Sequence, residues 1–266
     1  MNDVTKPALS FPPFADLKGR ACLITGASTG IGAAVARAFG AQGAKVAVHF
    51  NQSKEAANEV VAAIRSAGGE AFAIGGDVSR VKLVTEIVDR VAAQFGRLDI
   101  LINNAGSLVK RVPIAEVADN HYDAVMDLNV RSVVAASRAA IPHFRKQGGG
   151  NIINTTSIAA RHGGGYGAVL YASAKGFVST FTRGLAKEMV KENIRVNAVA
   201  PGVIATPFHE RFSTAEQIKA MTATIPMGRL GSSEECVGAY LYLASDAMSG
   251  YVTGQVIEVN GGQLMP

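Results

Sequence analysis

Short apolar, β-branched runs alternate with amphipathic stretches along the whole 266-residue chain, and this rhythm limits its possible folds more than any other feature. Strands are expected over 21–25, 45–49, 71–75, 100–103, 151–156, 195–200 and 256–259. Helices are expected over 31–41, 55–67, 81–95, 121–146, 172–191 and 234–244. The strand runs are apolar almost without interruption. That pattern marks strands covered on both faces by helices, whereas a sheet with one wet face shows alternation. Repeated strand–helix units with right-handed crossovers give an α/β, doubly wound parallel sheet.

Gly and Pro punctuate the joints, as at Gly68-Gly69, Gly163 to Gly165 and Pro201-Gly202. No joint is long enough for an interdomain linker, and no internal repeat shows. One domain is therefore expected over 19–266, preceded by an arm, 1–18, whose Pro7, Pro12 and Pro13 place it outside the core. The stretch 206–230 breaks the rhythm with an apolar, irregular sequence. Near the carboxyl ends of parallel strands it suits either a lid over a ligand or a helical hairpin that merely packs.

Composition excludes several classes. A chain 48% hydrophobic and 18% charged is globular rather than disordered. No apolar run reaches the roughly 18–20 residues of a membrane helix. The N-terminal segment lacks the basic-then-apolar order of a secretory signal. Cys22 and Cys236 are too few for a disulfide scaffold, and no Cys/His cluster has zinc spacing. A cytoplasmic, metal-free protein with no membrane association is expected. The net charge of +5 comes from scattered basic residues without any Lys/Arg run, so an ordinary soluble surface is favoured over a nucleic-acid partner.

Directly after the first strand comes Thr25-Gly26-Ala27-Ser28-Thr29-Gly30-Ile31-Gly32, and a helix follows. Glycines allow a tight turn and close backbone approach to a pyrophosphate, while the helix N-terminus offers free N–H groups and a positive dipole end. A lone Gly-rich loop says little. Between the first strand and the first helix of such a series it reads as a dinucleotide-binding turn. Its G-x-x-x-G-x-G spacing is wider than G-x-G-x-x-G, and no Gly-Lys-Ser/Thr follows, so it is not a P-loop. Where an acid at the end of the second strand would bind the ribose hydroxyl of NAD, the chain has Phe50-Asn51-Gln52-Ser53-Lys54. Asn51, Ser53 and Lys54 can donate to a 2′-phosphate, which favours NADP, with NAD possible because no arginine fork is present.

Tyr171 and Lys175 are spaced i, i+4 at the start of a helix and share one face. An ammonium near a phenol is expected to lower a pKa that starts near 10, giving a group able to donate or accept a proton. Ser157 ends the fifth strand, Asn103-Asn104-Ala105-Gly106 the fourth and Pro201-Gly202 the sixth, all at the carboxyl edge where open α/β sheets bind ligands. Asn129 lies mid-helix, where a buried amide needs partners and can organise water around the lysine. Taken singly, Ser157 and Asn104 also suit strand-end turns and Asp77 a helix N-cap.

With these residues in place, the chain resembles the short-chain dehydrogenase/reductase family from about Lys18 to Gly262. The matching motifs are TGASTGIG from Thr25, Asp77-Val78, NNAG from Asn103, Asn129, Ser157, YASAK from Tyr171, PGVIAT from Pro201 and TGQVIEVNGG from Thr253. The resemblance implies a single-domain, Rossmann-type, seven-stranded sheet. It also implies a tetrad of Asn129, Ser157, Tyr171 and Lys175 that interconverts a ketone and a secondary alcohol with NAD(P). In it Tyr171 is the acid/base, Ser157 positions the carbonyl, Lys175 binds the nicotinamide ribose and Asn129 holds a relay water. Gly26, Ser28, Thr29, Gly30, Ile31 and Gly32 would hold the pyrophosphate, Asp77 and Val78 the adenine, and Asn104, Ala105 and Gly106 the adenosine side. Pro201, Gly202, Ile204 and Thr206 would meet the carboxamide.

Within the family the chain looks most like 3-oxoacyl-acyl-carrier-protein reductases and sugar or polyol dehydrogenases. Ser157 and Tyr171 are 14 residues apart, one more than is typical of the carrier reductases. The extra residue falls in the Gly-rich stretch 161–169. Lys191-Glu192 also places an acid near where those reductases carry a basic residue. A small-molecule carbonyl or alcohol is the expected substrate, a carrier-linked acyl group the alternative, and a non-catalytic dinucleotide sensor ranks below both because the tetrad is complete. The resemblance implies that the late helix, 234–244, and the last strand build the subunit contacts of a homotetramer, to which the tail from Gln263 could contribute. His162 and His209 suit either substrate contact or a solvated loop, and His121 and His143 read as helix-end residues.

Overall fold

The structure, a computed structural model, describes residues 13–265. In chain order its elements are β1 (Ala21–Ile24), α1 (Gly30–Ala41), β2 (Lys45–Phe50), α2 (Lys54–Ser66), β3 (Glu70–Gly75), α3 (Val81–Phe95) and β4 (Ile100–Asn103). The second half adds α4 (Asp119–Met126), α5 (Ser132–Lys146), β5 (Gly150–Thr155), α6 (Ala159–His162), α7 (Val169–Met189) and β6 (Ile194–Pro201). It closes with α8 (Pro207–Phe212), α9 (Ala215–Ala223), α10 (Ser233–Ala244), α11 (Asp246–Ser249) and β7 (Val256–Val259). All neighbouring strands run parallel, in the order β3-β2-β1-β4-β5-β6-β7. The doubly wound, seven-stranded sheet expected from the sequence is thus observed.

The strand order turns back on itself at β1, which pairs with β2 on one side and β4 on the other. Loops leaving β1 and β4 diverge there and open a crevice at the carboxyl edge, the place where such sheets take ligands. β1, β4 and β6 are buried at every position, which is why their sequences are mainly apolar, with Asn103, Arg195 and Asn197 the buried polar exceptions. One face of the sheet is covered by α1, α2 and α10, with Val35, Phe39, Val60, Tyr240 and Leu241 in the core. The other is covered by α3, α5 and α7 through Val88, Val91, Phe144 and Leu185. Full burial of a side chain such as Phe39 is worth roughly 1.5–3 kcal/mol, and these two layers fix the crevice between them.

Two expectations change, and the open alternative at 206–230 is resolved. The helix expected over 121–146 is split into α4 and α5 by a π-helical turn, Asp127–Arg131. Its cause is Asn129, whose amide donates to the Val125 carbonyl at 2.8 Å and to the Ser107 carbonyl, 22 residues away, at 2.8 Å. The stretch 206–230 forms two helices, α8 and α9, the second opened by a Thr214/Gln217 capping box. The expected arm overlaps the folded body. Its residues 1–12 lie outside the described residues, but Leu17 is 1% exposed and Phe14 packs on the same core. Asp16 also accepts hydrogen bonds from the Ser245 hydroxyl and the Ala247 N–H. Among the described residues, no helix is long and apolar enough to cross a membrane.

Candidate active site

The turn after β1 is held open by backbone geometry that only glycine adopts readily. Gly26 has φ +64° and Gly30 φ +55°. Gly32 is required by space, since a Cβ there would lie 2.6 Å from Asn104 Nδ2 and overlap the Gly26 carbonyl oxygen. The turn is also tied to its neighbours. Asn104 Nδ2 donates to the carbonyls of Thr25 and Gly26, both at 3.0 Å, and Thr25 Oγ1 accepts from the N–H groups of Asn104 and Ala105 at 3.0 Å. Asn104 is therefore a brace that joins β1 to the end of β4.

His49, a residue the sequence reading passed over, completes this brace. It is 1% exposed in β2. Its Nδ1 accepts from the Gly26 N–H at 3.0 Å, which forces Nε2 to carry the proton and donate to the Gly76 carbonyl at 2.9 Å. Burial pushes its pKa below the ordinary histidine value, against the weaker pull of the Gly76 bond and the Asp77 charge. A lone histidine in the apolar run Val46-Ala47-Val48-His49-Phe50, level with a Gly-rich turn, was the available signal.

A cavity of about 820 Å³ opens from this turn along the carboxyl edge. Gly26, Ser28, Thr29, Gly30, Ile31 and Gly32 form one wall. Asn51 and Ser53 stand at one end with Asp77 and Val78, while Asn104, Ala105 and Gly106 form the floor beside β4. Pro201, Gly202, Ile204 and Thr206 close the side beyond β6. Lys54, the first residue of α2, is not at the wall. Ser53, the α2 N-cap, makes no side-chain capping bond, so its hydroxyl is unspent there. Asp77 is not a helix cap. Its Oδ1 accepts from the Ser79 N–H and hydroxyl at 3.0 and 2.7 Å, and Arg80 takes the N-cap position of α3.

Ser157, Tyr171 and Lys175 meet in the middle of this cavity. β5 ends at Thr155, so Ser157 sits two residues beyond it, and its Oγ accepts the Ala159 N–H at 3.1 Å. The Ser157 hydroxyl also engages the Tyr171 phenol and draws its pKa downward, while burial has the larger opposite effect and pushes it up to about 12. Lys175 is 3% exposed, donates to the Thr155 carbonyl at 2.8 Å and lies 5.7 Å from the Tyr171 ring centroid. Burial lowers its pKa to about 8. The expected lowering of the tyrosine pKa is therefore reversed in the protein alone. The ammonium is directed to a carbonyl, and desolvation pushes both groups towards their neutral forms.

Asn129 is 0% exposed and does not reach the cavity wall. Its two amide protons go to Val125 and Ser107, and its Oδ1 accepts the Ser107 N–H at 3.1 Å. It faces Gly106 from behind: a Cβ at Gly106 would stand 2.8 Å from Asn129 Oδ1 and 3.0 Å from Lys175 Nζ. The side chain thus holds the β4 loop against the lysine and has no donor left for a water.

Beyond Tyr171 the cavity is lined by α8, with the Phe208 ring tilted by 42° to the Tyr171 ring at 5.7 Å, centroid to centroid, and by His209, Arg211 and Phe212. His162, Gly164 and Gly165 contribute from the Gly-rich stretch, and Met221 and Gln263 from α9 and the tail. The insertion is therefore a helical hairpin whose inner residues are cavity wall. The tail folds back on its own subunit, with Asn260 Nδ2 donating to the Leu264 carbonyl at 3.0 Å. Arg111, which sequence reasoning missed, crosses this end. Cys22 and Cys236 are both buried, and burial raises the pKa of each, in keeping with unreactive core thiols.

The residues present fit a dinucleotide. Three glycines bring the turn's backbone to the cavity without side chains in the way, and the α1 N-terminus, capped by no side chain, leaves N–H groups for a pyrophosphate. A family model described as Enoyl-(Acyl carrier protein) reductase matches residues 26–263. A 3-oxoacyl-[acyl-carrier-protein] reductase of Synechocystis is 40% identical over 249 residues, 94% of this chain and 98% of that protein. Among solved structures, an NADH-dependent reductase, A1-R', complexed with NAD is 39% identical with a TM-score of 0.85, covering 95% of this chain and 100% of that one. A short-chain dehydrogenase from Burkholderia cenocepacia in complex with NADP is 33% identical with a TM-score of 0.86, covering 93% and 99%. The chain belongs to the short-chain dehydrogenase/reductase family, as an NAD(P)-dependent oxidoreductase that interconverts ketone and secondary alcohol.

Proposed function

We propose that Tyr171 is the general acid/base of this reaction, with Ser157 as its partner on the substrate oxygen and Lys175 as the positioning charge. The observation that carries the reading is the convergence of the Ser157 hydroxyl on the Tyr171 phenol in the same cavity as the Gly-rich turn. The dinucleotide, when bound, supplies or takes up a hydride. Ser157 and Tyr171 donate hydrogen bonds to the carbonyl oxygen, and the phenol passes its proton to that oxygen as it becomes an alcohol. The Lys175 ammonium, one turn along α7, stabilises the phenolate left behind. Asn129 acts as a brace for the loop that carries Gly106, and the Phe208 ring shields the phenol from water. The test is Tyr171→Phe, which keeps dinucleotide affinity within about threefold and lowers turnover by roughly 10²–10⁴ or more. Near wild-type turnover would remove the role.

NADP is the preferred dinucleotide in this reading, because no carboxylate stands at the end of β2, where Asn51 and Ser53 line the cavity end. The substrate is a small carbonyl or alcohol compound. A second reading, a carrier-linked 3-oxoacyl group, is favoured by the Synechocystis relative. Turnover of acetoacetyl-carrier thioester well above that of small ketones decides for it. The protein acts in the cytoplasm, and as a homotetramer. β7 is an edge strand half exposed along its length, and Phe177 on α7 is 42% exposed, both of which call for a partner surface. A monomeric mass in light scattering would remove the tetramer.

A further inference from the structure

The substrate end of the cavity has a charge character that carbonyl chemistry alone does not require. Arg111 is half-buried there and is held by two backbone carbonyls, Nε donating to Phe212 at 2.7 Å and Nη1 to Tyr166 at 3.1 Å. Those residues are 101 and 55 positions away, one at the end of α8 and one in the Gly-rich stretch before α7. The loop is shaped around the arginine. Val112 N–H donates to the Gly167 carbonyl at 3.0 Å, and Gly167, at φ +71°, would place a Cβ 3.1 Å from the Arg111 Cβ.

Two of five guanidinium N–H groups are used by these bonds, which leaves one on Nη1 and both on Nη2 for another acceptor. No carboxylate pairs with Arg111 among the described residues. Arg211, over the Phe212 ring at 5.3 Å, adds a second cation to the same wall. His209 answers to this field: burial and then the Arg111 charge both lower its pKa. Among the described residues, the only carboxylate at the cavity wall is Asp77, after β3. It lies three strands from β4 in the sheet, about 14 Å at the usual strand spacing.

We infer that the substrate carries a carboxylate, and that Arg111 holds it while Ser157 and Tyr171 face its carbonyl or hydroxyl group. A half-buried guanidinium fixed by neutral carbonyls and left without an anion is an unbalanced charge, and a carboxylate-bearing ligand supplies the balance. Gln263 adds a hydroxyl-reading group. Its Nε2 donates to Thr224 Oγ1 at 2.7 Å, and since that hydroxyl donates to the Met221 carbonyl, the amide orientation is fixed. The Gln263 Oε1 is then a buried acceptor with no partner, at the cavity wall. A hydroxylated keto acid, such as an oxidised sugar acid, satisfies both groups. The inference rests on the reading of Tyr171 as the proton donor.

The test measures binding apart from turnover. Tyr171→Phe enzyme saturated with reduced dinucleotide is titrated, through nicotinamide fluorescence, with keto acids of three to six carbons and their neutral partners. One pair is 5-keto-D-gluconate and L-sorbose, which differ in a carboxylate against a hydroxymethyl group; methyl esters serve for the others. At least one keto acid binds about tenfold or more tightly than its partner. Arg111→Gln abolishes the difference and Arg111→Lys retains part of it, with dinucleotide affinity unchanged in both. If no keto acid outbinds its neutral partner, or the preference survives Arg111→Gln, the inference is overturned. Retained turnover by Tyr171→Phe would instead remove the proton-donor reading and leave the acid preference standing.

Discussion

Replacing His49 tests whether the Gly-rich turn is held by a histidine as the geometry requires. In His49→Leu the Gly26 N–H and the Gly76 carbonyl both lose their partner, and the leucine keeps water from replacing it. Each orphaned, part-buried group costs about 1–2 kcal/mol, the low end for buried polar groups, so the variant should lose roughly 2–4 kcal/mol of stability. Its dinucleotide affinity should fall as well, because Gly26 opens the turn. Asn places an acceptor near the Nδ1 position, so His49→Asn should keep the Gly26 bond and most of the affinity. Gln reaches the Nε2 position and should restore the Gly76 bond alone. The pH dependence has a definite sign. Because burial lowers the folded-state pKa, the unfolded chain binds a proton first as pH falls below about 6.5. This contribution to stability is complete above that value and is lost as pH drops towards the folded pKa. The stability gap between wild type and His49→Asn should therefore narrow below pH 6.5. Urea unfolding at several pH values, with dinucleotide titration, reads all of this. A His49→Leu variant within 1 kcal/mol of wild type at pH 8, with unchanged affinity, would refute the reasoning.

Two further substitutions probe the same wall. Gly32→Ala pushes a methyl group into Asn104 Nδ2 and the Gly26 carbonyl. It should cost about 1–3 kcal/mol of stability and weaken dinucleotide binding about tenfold or more, read by calorimetry and fluorescence titration. Asn51→Asp sets a carboxylate at the cavity end beside Ser53. It should shift the ratio of NADP to NAD affinity about tenfold or more towards NAD through like-charge repulsion of a 2′-phosphate, and an unchanged ratio would place that phosphate elsewhere.

The fold was legible because a parallel sheet covered on both faces writes its strands as mainly apolar runs. The expected bounds of α3, β4 and β7 match the observed ones. The cavity residues at the ends of β1, β4 and β6 were legible for a related reason, since topology alone sends those ends to one edge. What escaped depends on contacts between distant parts of the chain. Arg111 owes its place to carbonyls 101 and 55 residues away, and no local period announces that. The π-helical turn at Asn129 depends on a side-chain amide shared between the Val125 carbonyl of its own helix and the Ser107 carbonyl, 22 residues upstream. Leu17 sits in a segment whose prolines suggest an arm, yet three residues of 3-10 helix turn it into the core. Spacing also placed Tyr171 beside Lys175 without showing how deeply each is buried, and burial sets the sign of both pKa shifts.

That sign governs the pH behaviour of the reaction. With the phenol near 12 in the protein alone, only about 10⁻⁵ of Tyr171 is ionised at pH 7, so the site stands ready to donate a proton. Lys175, near 8, is mostly charged at pH 7 and mostly neutral at pH 9. Ketone reduction needs the protonated phenol and the ammonium that steadies its anion. Its kcat/KM should be level from pH 6 to about 7.5 and decline above pH 8 as the lysine discharges. Alcohol oxidation needs the phenolate, and its rate should climb with pH across the same interval. The two limbs should diverge around pH 8 and not around pH 6. Profiles of both directions at saturating dinucleotide, with His162→Asn and His209→Asn as controls for the histidines at the wall, separate the sources. An oxidation limb that already levels off below pH 7 would show that the working phenol ionises far below its value in the protein alone. Burial would then have been outweighed by a positive charge nearer than Lys175 Nζ, which lies 5.7 Å from the ring centroid.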